Sequence, residues 1–125
     1  MISNEGTGWR LVNDPSRKHF PFLVAGSDWA FELSSNEWNS LVNTVIDLVA
    51  QHKELENQLM QEEKVYLELE RSPWWACIDG NRDEWSLTLI LLGDGIHRRG
   101  CEFSWPMPTA QIVAFNMREM WDCSK

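Results

Sequence analysis

The sequence predicts an α+β fold in which two antiparallel β-meanders each lead into a helix. A long apolar stripe at helical spacing begins directly after a helix-capping signal at Ser34. The segments on either side of this stripe are short runs rich in β-branched and aromatic residues, separated by turn-forming residues. Short turns favour antiparallel pairing, because parallel neighbours need a long crossover connection.

Three strands are predicted before the first helix. The segment 13–17 separates the first two, and it is rich in Asn, Asp, Pro and Ser, which favour turns. Pro21 is expected at a strand start or on a sheet edge, because it has no N–H to donate to a neighbour. The predicted strands are 8–12, 20–25 and 29–33.

The first helix is predicted from Ser34 to about Glu62. Ser34 and Glu37 have the spacing of a capping box, in which each side chain accepts a hydrogen bond from the other residue's backbone N–H. No Gly or Pro interrupts the sequence until Pro73. The helix would be about 42 Å long, which predicts that its far end packs against a partner. The residues of its apolar stripe are Trp38, Leu41, Val42, Val45, Ile46, Val49, His52, Leu55 and Leu59.

Four strands and a second helix are predicted to follow. Residues 64–71 alternate between apolar and polar positions, the period of a strand with one buried face. Pro106 and Pro108 precede the second helix, which is expected to end near Trp121. The predicted strands are 64–71, 74–78, 84–92 and 97–105, and the apolar face of the helix consists of Ile112, Val113, Met117, Met120 and Trp121. The resulting order is β3-α-β4-α.

Length and composition indicate one soluble domain spanning residues 1–125. No apolar run approaches the roughly 18 residues that a membrane span needs, and the first residues lack the basic and apolar regions of a signal peptide. We therefore expect a cytoplasmic location and no membrane partner. Cys77, Cys101 and Cys123 are odd in number and widely spaced, which is typical of reduced thiols.

The charge is strongly acidic and unevenly distributed. The net charge is −8, and segment 36–63 holds one lysine against six carboxylates. This balance does not favour long-range attraction of nucleic acid or of an anionic membrane. The acidic face of the first helix could instead recognise a basic protein, or it could serve only to keep the surface solvated.

No pattern of catalytic or metal-binding residues is present. His97 and Cys101 are four residues apart, but a strand would separate them by over ~12 Å. There is no Cys-x-x-Cys pair and no two-His metal spacing, and Asp79-Gly and Gly93-Asp-Gly are typical of turns. We therefore expect no enzymatic activity, no cofactor and no metal.

The eight tryptophans are the most distinctive feature of the composition. Tryptophan serves equally as a core residue, an interface residue or a platform for base stacking. The spacing of Trp38, Trp85 and Trp121 predicts that they point into the core. Trp74 and Trp75 are neighbours in a predicted strand, so one is expected in the core and the other on the opposite face.

Two small basic clusters are candidate nucleic-acid contacts. Arg17-Lys18-His19 and His97-Arg98-Arg99 lie in or beside predicted turns, where side chains project into solvent. Basic groups follow phosphates while aromatic rings stack on bases; the alternative is that both clusters are ordinary solvated turns. The candidate nucleic-acid-binding residues are Arg17, Lys18, Arg98, Arg99, Trp9 and Trp105.

Three short runs resemble an uncharacterised family of small cyanobacterial and plastid-lineage proteins. The runs are Gly6-Thr-Gly-Trp-Arg-Leu, Asp28-Trp-Ala-Phe-Glu-Leu and Leu59-Met-Gln-Glu-Glu-Lys. Members of that family are grouped by fold with single-stranded-DNA-binding transcriptional regulators, including the Whirly proteins of plants and the eukaryotic positive cofactor four. The resemblance implies a Whirly-like doubled meander-plus-helix fold and a cyanobacterial-type cytoplasm, but no established activity. The lysine-rich strand motif of Whirly proteins is absent from this chain.

The sequence therefore leads to two hypotheses for a non-enzymatic binding domain. In the first, the protein binds single-stranded nucleic acid through the two basic turns and aromatic side chains. In the second, it is a protein-interaction or assembly module that uses the acidic long helix and exposed tryptophans. The length of the helix and the surplus of aromatic residues favour a homodimer under either hypothesis.

Overall fold

The computed structural model describes residues 1–93 and 99–123, which form two four-stranded antiparallel sheets and two helices. Every strand pairs with its neighbour in sequence, so each sheet is a simple meander. The first sheet contains β1 (Ile2–Gly6), β2 (Trp9–Asn13), β3 (Phe22–Ala25) and β4 (Ala30–Leu33), and leads into α1 (Ser35–Leu55). The second contains β5 (Val65–Arg71), β6 (Trp74–Gly80), β7 (Trp85–Leu91) and β8 (Cys101–Trp105), and leads into α2 (Thr109–Cys123). The predicted α+β class is confirmed.

The predicted order β3-α-β4-α is one strand short. β1 pairs with β2 so that Gly6 lies opposite Trp9, and the two residues between them form a tight turn in which Gly8 has a φ of 80°. Glycine adopts this backbone conformation without steric cost. β1 was missed because nearly all of its residues are exposed and they show no apolar alternation. The observed order is β4-α-β4-α.

The start of α1 is confirmed, and its predicted end is wrong. The Ser34 hydroxyl accepts a hydrogen bond from the Glu37 N–H at 3.1 Å, and the Glu37 carboxylate accepts one from the Ser34 N–H at 2.8 Å. The helix ends at Leu55 and is followed by one 3₁₀ turn, Glu56–Gln58, none of whose residues is buried. Without a packed face there is little to sustain further helix. The helix is therefore shorter than predicted, and its length gives no reason to expect a partner at its far end.

The core lies between the helices and the inner faces of the two sheets. α1 packs on β5 and β6, whereas α2 packs on β7 and β8 and also contacts β2. Ile112 was predicted on the apolar face of α2 but is 47% exposed, because the buried face is centred on the neighbouring helical positions. The buried residues of α2 are Ala110, Val113, Ala114, Met117 and Met120. No helix in the described ranges is long and apolar enough to cross a membrane.

Two buried tryptophans of the second sheet join it to the first half of the chain. The Trp74 Nε1–H donates to the Glu37 carbonyl at 3.0 Å, and the Trp105 Nε1–H donates to the Ala25 carbonyl at 3.0 Å. Neither tryptophan is exposed to solvent. Trp75 is half-buried on the opposite face, which confirms the prediction for the Trp74–Trp75 pair.

The other core predictions for tryptophan are confirmed in large part. Trp38 is 1% exposed and stacks on Phe22 with ring centres 4.7 Å apart. Trp85 is 5% exposed, and Trp121 is half-buried and packs against the core. Tryptophan is thus used here mainly as a core residue.

Candidate functional site

The outer face of the first sheet combines exposed polar and apolar side chains. Trp9 and Leu11 of β2 are buried, so the alternation of the strand places Arg10 and Val12 on the opposite, outer face. A row across the four strands of this face consists of Ser3, Val12, Leu23 and Glu32. Arg10 is exposed. It is the one basic residue that β1–β4 contribute to this face.

The loop between β2 and β3 is held in a defined turn. The Asp14 carboxylate accepts hydrogen bonds from the Ser16 hydroxyl at 2.7 Å and from the Ser16 N–H at 3.2 Å. These bonds stabilise the carboxylate and lower the pKa of Asp14. The Asp14 N–H also donates to the Pro21 carbonyl at 2.7 Å, which closes the base of the loop. The loop therefore presents Arg17 from a fixed position.

Glu32 is the point at which the two basic clusters of the sequence meet. Arg17 forms an ion pair with its carboxylate, and Arg99 donates to its backbone carbonyl at 2.6 Å. Arg99 also forms an ion pair with Glu37, and its guanidinium carbon lies 4.4 Å from the centre of the Phe20 ring. Arg99 thereby connects the segment before β8 to the first turn of α1 and to the ring of Phe20.

We use the name first-sheet patch for the basic and aromatic residues at and beside the loop between β2 and β3: Arg10, Arg17, Lys18, Phe20 and Arg99. Arg10, Arg17 and Phe20 line a single cleft of about 250 Å³, whose lining also includes Val12, Leu23 and the carboxylate-bearing Asp14. Phe20 is 36% exposed. Within the described parts of the chain, no carboxylate lies within 4 Å of the basic groups of Arg10 or Lys18. Both side chains are therefore available to an anionic ligand.

The outer face of the second sheet is acidic. Four carboxylates lie on it, and the positions of β5–β8 that face outward include no basic residue. The carboxylates are Glu68, Glu70, Asp79 and Glu102. A hydrogen bond with the Cys77 thiol raises the pKa of Tyr66 on this face to about 12, and burial raises the pKa of Cys77. Neither group carries a charge near pH 7, so the carboxylates determine the charge of this face.

The structure places the predicted site residues in different environments. It brings Arg17 and Arg99 together and leaves Lys18 exposed. Trp105 is fully buried and Trp9 is 8% exposed, so the prediction that they stack on bases is wrong, because a stacking ring must present a face to solvent. His97 and Arg98 lie outside the described residues.

Sequence reasoning missed Arg10 and Phe20. Arg10 could have been found from the alternation of β2, because its neighbours Trp9 and Leu11 are both apolar. Phe20 directly follows Arg17-Lys18-His19 and was interpreted as the start of a strand, whereas β3 begins only at Phe22. An aromatic residue beside a basic turn was the available signal.

Two further observations concern a buried thiol and the possible metal ligands among the described residues. Burial raises the pKa of Cys101, the opposite of the shift that makes a thiol nucleophilic. In the part of the chain that is described, no three His, Cys, Asp or Glu side chains are placed together to hold a metal ion.

Comparison with known proteins identifies the family of the chain. Residues 4–120 match the family described as a domain of unknown function, DUF1818. No curated protein matches the chain. The chain is similar to a crystallised protein of unknown function from Prochlorococcus sp. NATL2A, described as a member of the DUF155 family, with 45% identity and a TM-score of 0.92. That similarity covers 97% of this chain and 99% of the other. The chain thus belongs to the DUF1818 family of domains of unknown function.

Proposed function

We propose that this protein binds single-stranded nucleic acid on the outer face of its first sheet. The observation that carries the proposal is the shared cleft of Arg10, Arg17 and Phe20. Proteins that bind single strands combine basic groups that follow the phosphates with exposed aromatic rings that stack on bases. The resemblance of the sequence to the family grouped with Whirly-type regulators supports the same class of ligand.

The residues of the first-sheet patch take different roles in this proposal. Arg10 and Lys18 contact phosphates directly, since neither is engaged by a carboxylate in the described residues. Arg17 is paired with Glu32, but the two side chains are 52% and 41% exposed. Such solvated pairs contribute little to stability, so Arg17 can exchange its carboxylate for a phosphate. Arg99 is held by Glu37 and the Glu32 carbonyl, and it positions the ring of Phe20.

The charge distribution predicts which face of the protein the nucleic acid avoids and how strongly the nucleic acid binds. The net charge of −8 opposes approach of a polyanion, and the carboxylates of the second sheet repel it locally. Binding must therefore depend on short-range contacts at the first-sheet patch. We expect an affinity in the micromolar range at low ionic strength, with no contact to the second sheet.

Fluorescence anisotropy of a labelled oligothymidine of about 30 nucleotides tests this proposal. We expect saturable binding at ~50 mM salt and a binding constant that falls with salt by a log–log slope of roughly −0.7 per phosphate contact. Three contacts, from Arg10, Arg17 and Lys18, give a slope near −2 and roughly twentyfold weaker binding at ~200 mM salt. Absence of binding at ~50 mM salt, or binding that does not respond to salt, would contradict the proposal.

A protein-interaction module is a second candidate, favoured by the outer face of the second sheet. Trp75 is half-buried there and Tyr66 is 59% exposed, and both are surrounded by carboxylates. Aromatic residues are enriched where proteins bind one another, and this charge would suit a basic partner. The oligothymidine titration separates the two candidates, because a module of this kind gives no salt-dependent binding of the oligonucleotide.

A further inference from the structure

A second cavity opens between the two helices and shares no residue with the first-sheet patch. It has a volume of about 390 Å³, within the range of about 300–1,000 Å³ typical of small-molecule sites. Trp85, which is 5% exposed, lies on the β7 side of the cavity. The apolar lining comes from Val45, Ile46, Val49 and Ala50 of α1 and from Ala114 and Phe115 of α2.

Hydrogen bonds fix the turn between β6 and β7 at one end of this cavity. The Asn81 side-chain oxygen accepts the N–H groups of Asp83 and Glu84 at 2.8 and 2.9 Å. Gln111 of α2 donates to the Asp83 carbonyl at 2.7 Å, and His52 of α1 donates from Nε2 to the Asn81 carbonyl at 2.9 Å. Both helices therefore hold this turn in place. A cavity that is already formed binds a ligand without the cost of ordering its own residues.

The charges at the mouth of the cavity favour an anionic group. Three basic side chains and two carboxylates line the cavity, which gives it a local excess of one positive charge on a strongly acidic protein. Arg82 is paired with Asp83 at 3.2 Å. Among the described residues, Lys53 and Arg118 have no carboxylate within 4 Å. These two side chains are available to a ligand whose apolar part occupies the space between the helices.

We propose that the cavity between α1 and α2 binds a small amphipathic anion. The apolar body of the ligand packs between Val49 and Phe115, and its carboxylate meets Lys53 and Arg118. The site is independent of the proposed nucleic-acid surface. The hydrogen-bonded turn, the apolar lining and the unpaired basic side chains of Lys53 and Arg118 together define the chemical class of the ligand.

Three probes with the same eight-carbon chain test the class of ligand: octanoate, octanol and octylamine. Binding to the full chain is followed by amide chemical shifts in two-dimensional NMR. Octanoate is expected to bind roughly tenfold more tightly than octanol or octylamine, because only its head group is an anion that can pair with both Lys53 and Arg118. Arg118→Ala should reduce this preference. Equal binding of the three probes, tighter binding of octylamine, or no binding of octanoate would overturn the proposal.

A matched pair of variants on α1 locates the bound probe. Ala50 is exposed and lines the cavity, whereas Gln51 is exposed and does not. Ala50→Trp is expected to abolish binding of octanoate by filling the cavity, and Gln51→Trp is expected to leave it unchanged. Circular dichroism establishes that both variants fold. Retention of octanoate binding by a folded Ala50→Trp variant would place the probe elsewhere and overturn the proposal.

Discussion

Replacing Trp105 with alanine is expected to lower the free energy of unfolding by about 3–5 kcal/mol, the cost typical of removing a large buried aromatic side chain. A domain of this kind has a total stability of about 5–15 kcal/mol, so the variant should be close to unfolding. The ring of Trp105 packs against those of Trp29 and Phe103, with centres 5.1 and 5.4 Å away. Denaturant unfolding followed by far-ultraviolet circular dichroism measures the loss.

Two further variants separate the hydrogen bond of Trp105 from its packing. Trp105→Phe keeps an aromatic ring but removes the donor to the Ala25 carbonyl, so a smaller loss of about 1–3 kcal/mol is expected. Trp75→Ala removes the same side chain from the outer face of the second sheet and should cost at most about half as much as Trp105→Ala. Equal losses for Trp75→Ala and Trp105→Ala would contradict the role of Trp105 as a core residue that helps to connect the two sheets.

Replacing Phe20 with alanine is expected to weaken binding of oligothymidine roughly 5- to 150-fold, the range that corresponds to loss of one stacked base. Phe20 contributes the one exposed aromatic ring that lines the cleft with Arg10 and Arg17. Its exposure of 36% means that the fold should tolerate the change. Anisotropy at ~50 mM salt measures the affinity.

Phe115→Ala provides the matched control for Phe20→Ala. Phe115 is 63% exposed on α2 and lies in the cavity between the helices, outside the first-sheet patch. The substitution removes the same ring from a different surface, so affinity for the oligonucleotide should not change. If Phe20→Ala and Phe115→Ala affect the affinity equally, Phe20 is not a stacking platform.

Much of the fold follows from local signals in the sequence. The capping box at Ser34 and Glu37 fixes the start of α1, and the alternation in 64–71 identifies β5 and its buried face. The end of α1 is not signalled locally, because no Gly or Pro follows Leu55 for many residues. It depends on where packing against the second sheet stops. β1 is likewise held by its pairing with β2, and its own residues are mostly exposed.

The candidate site was less predictable because it is assembled from distant segments. The sequence places Arg17 and Arg99 in two basic clusters at predicted turns. Only the fold brings both arginines into contact with the same residue, Glu32. Trp9 and Trp105 illustrate a second difficulty. Tryptophan suits a core and a binding surface equally well, so its type does not reveal its exposure. Both proved to be core residues, and the exposed ring of the patch is Phe20.

Amide chemical shifts at ~50 mM salt would map the oligothymidine on the surface of the protein and so locate the proposed nucleic-acid site. We expect the largest shifts at Arg10, Arg17 and Phe20, with smaller shifts at the neighbouring Val12 and Leu23. Trp75 and the rest of the outer face of the second sheet should not respond. Shifts concentrated on the second sheet or between the helices, or no shifts at all, would contradict the assignment of the first-sheet patch as a nucleic-acid surface.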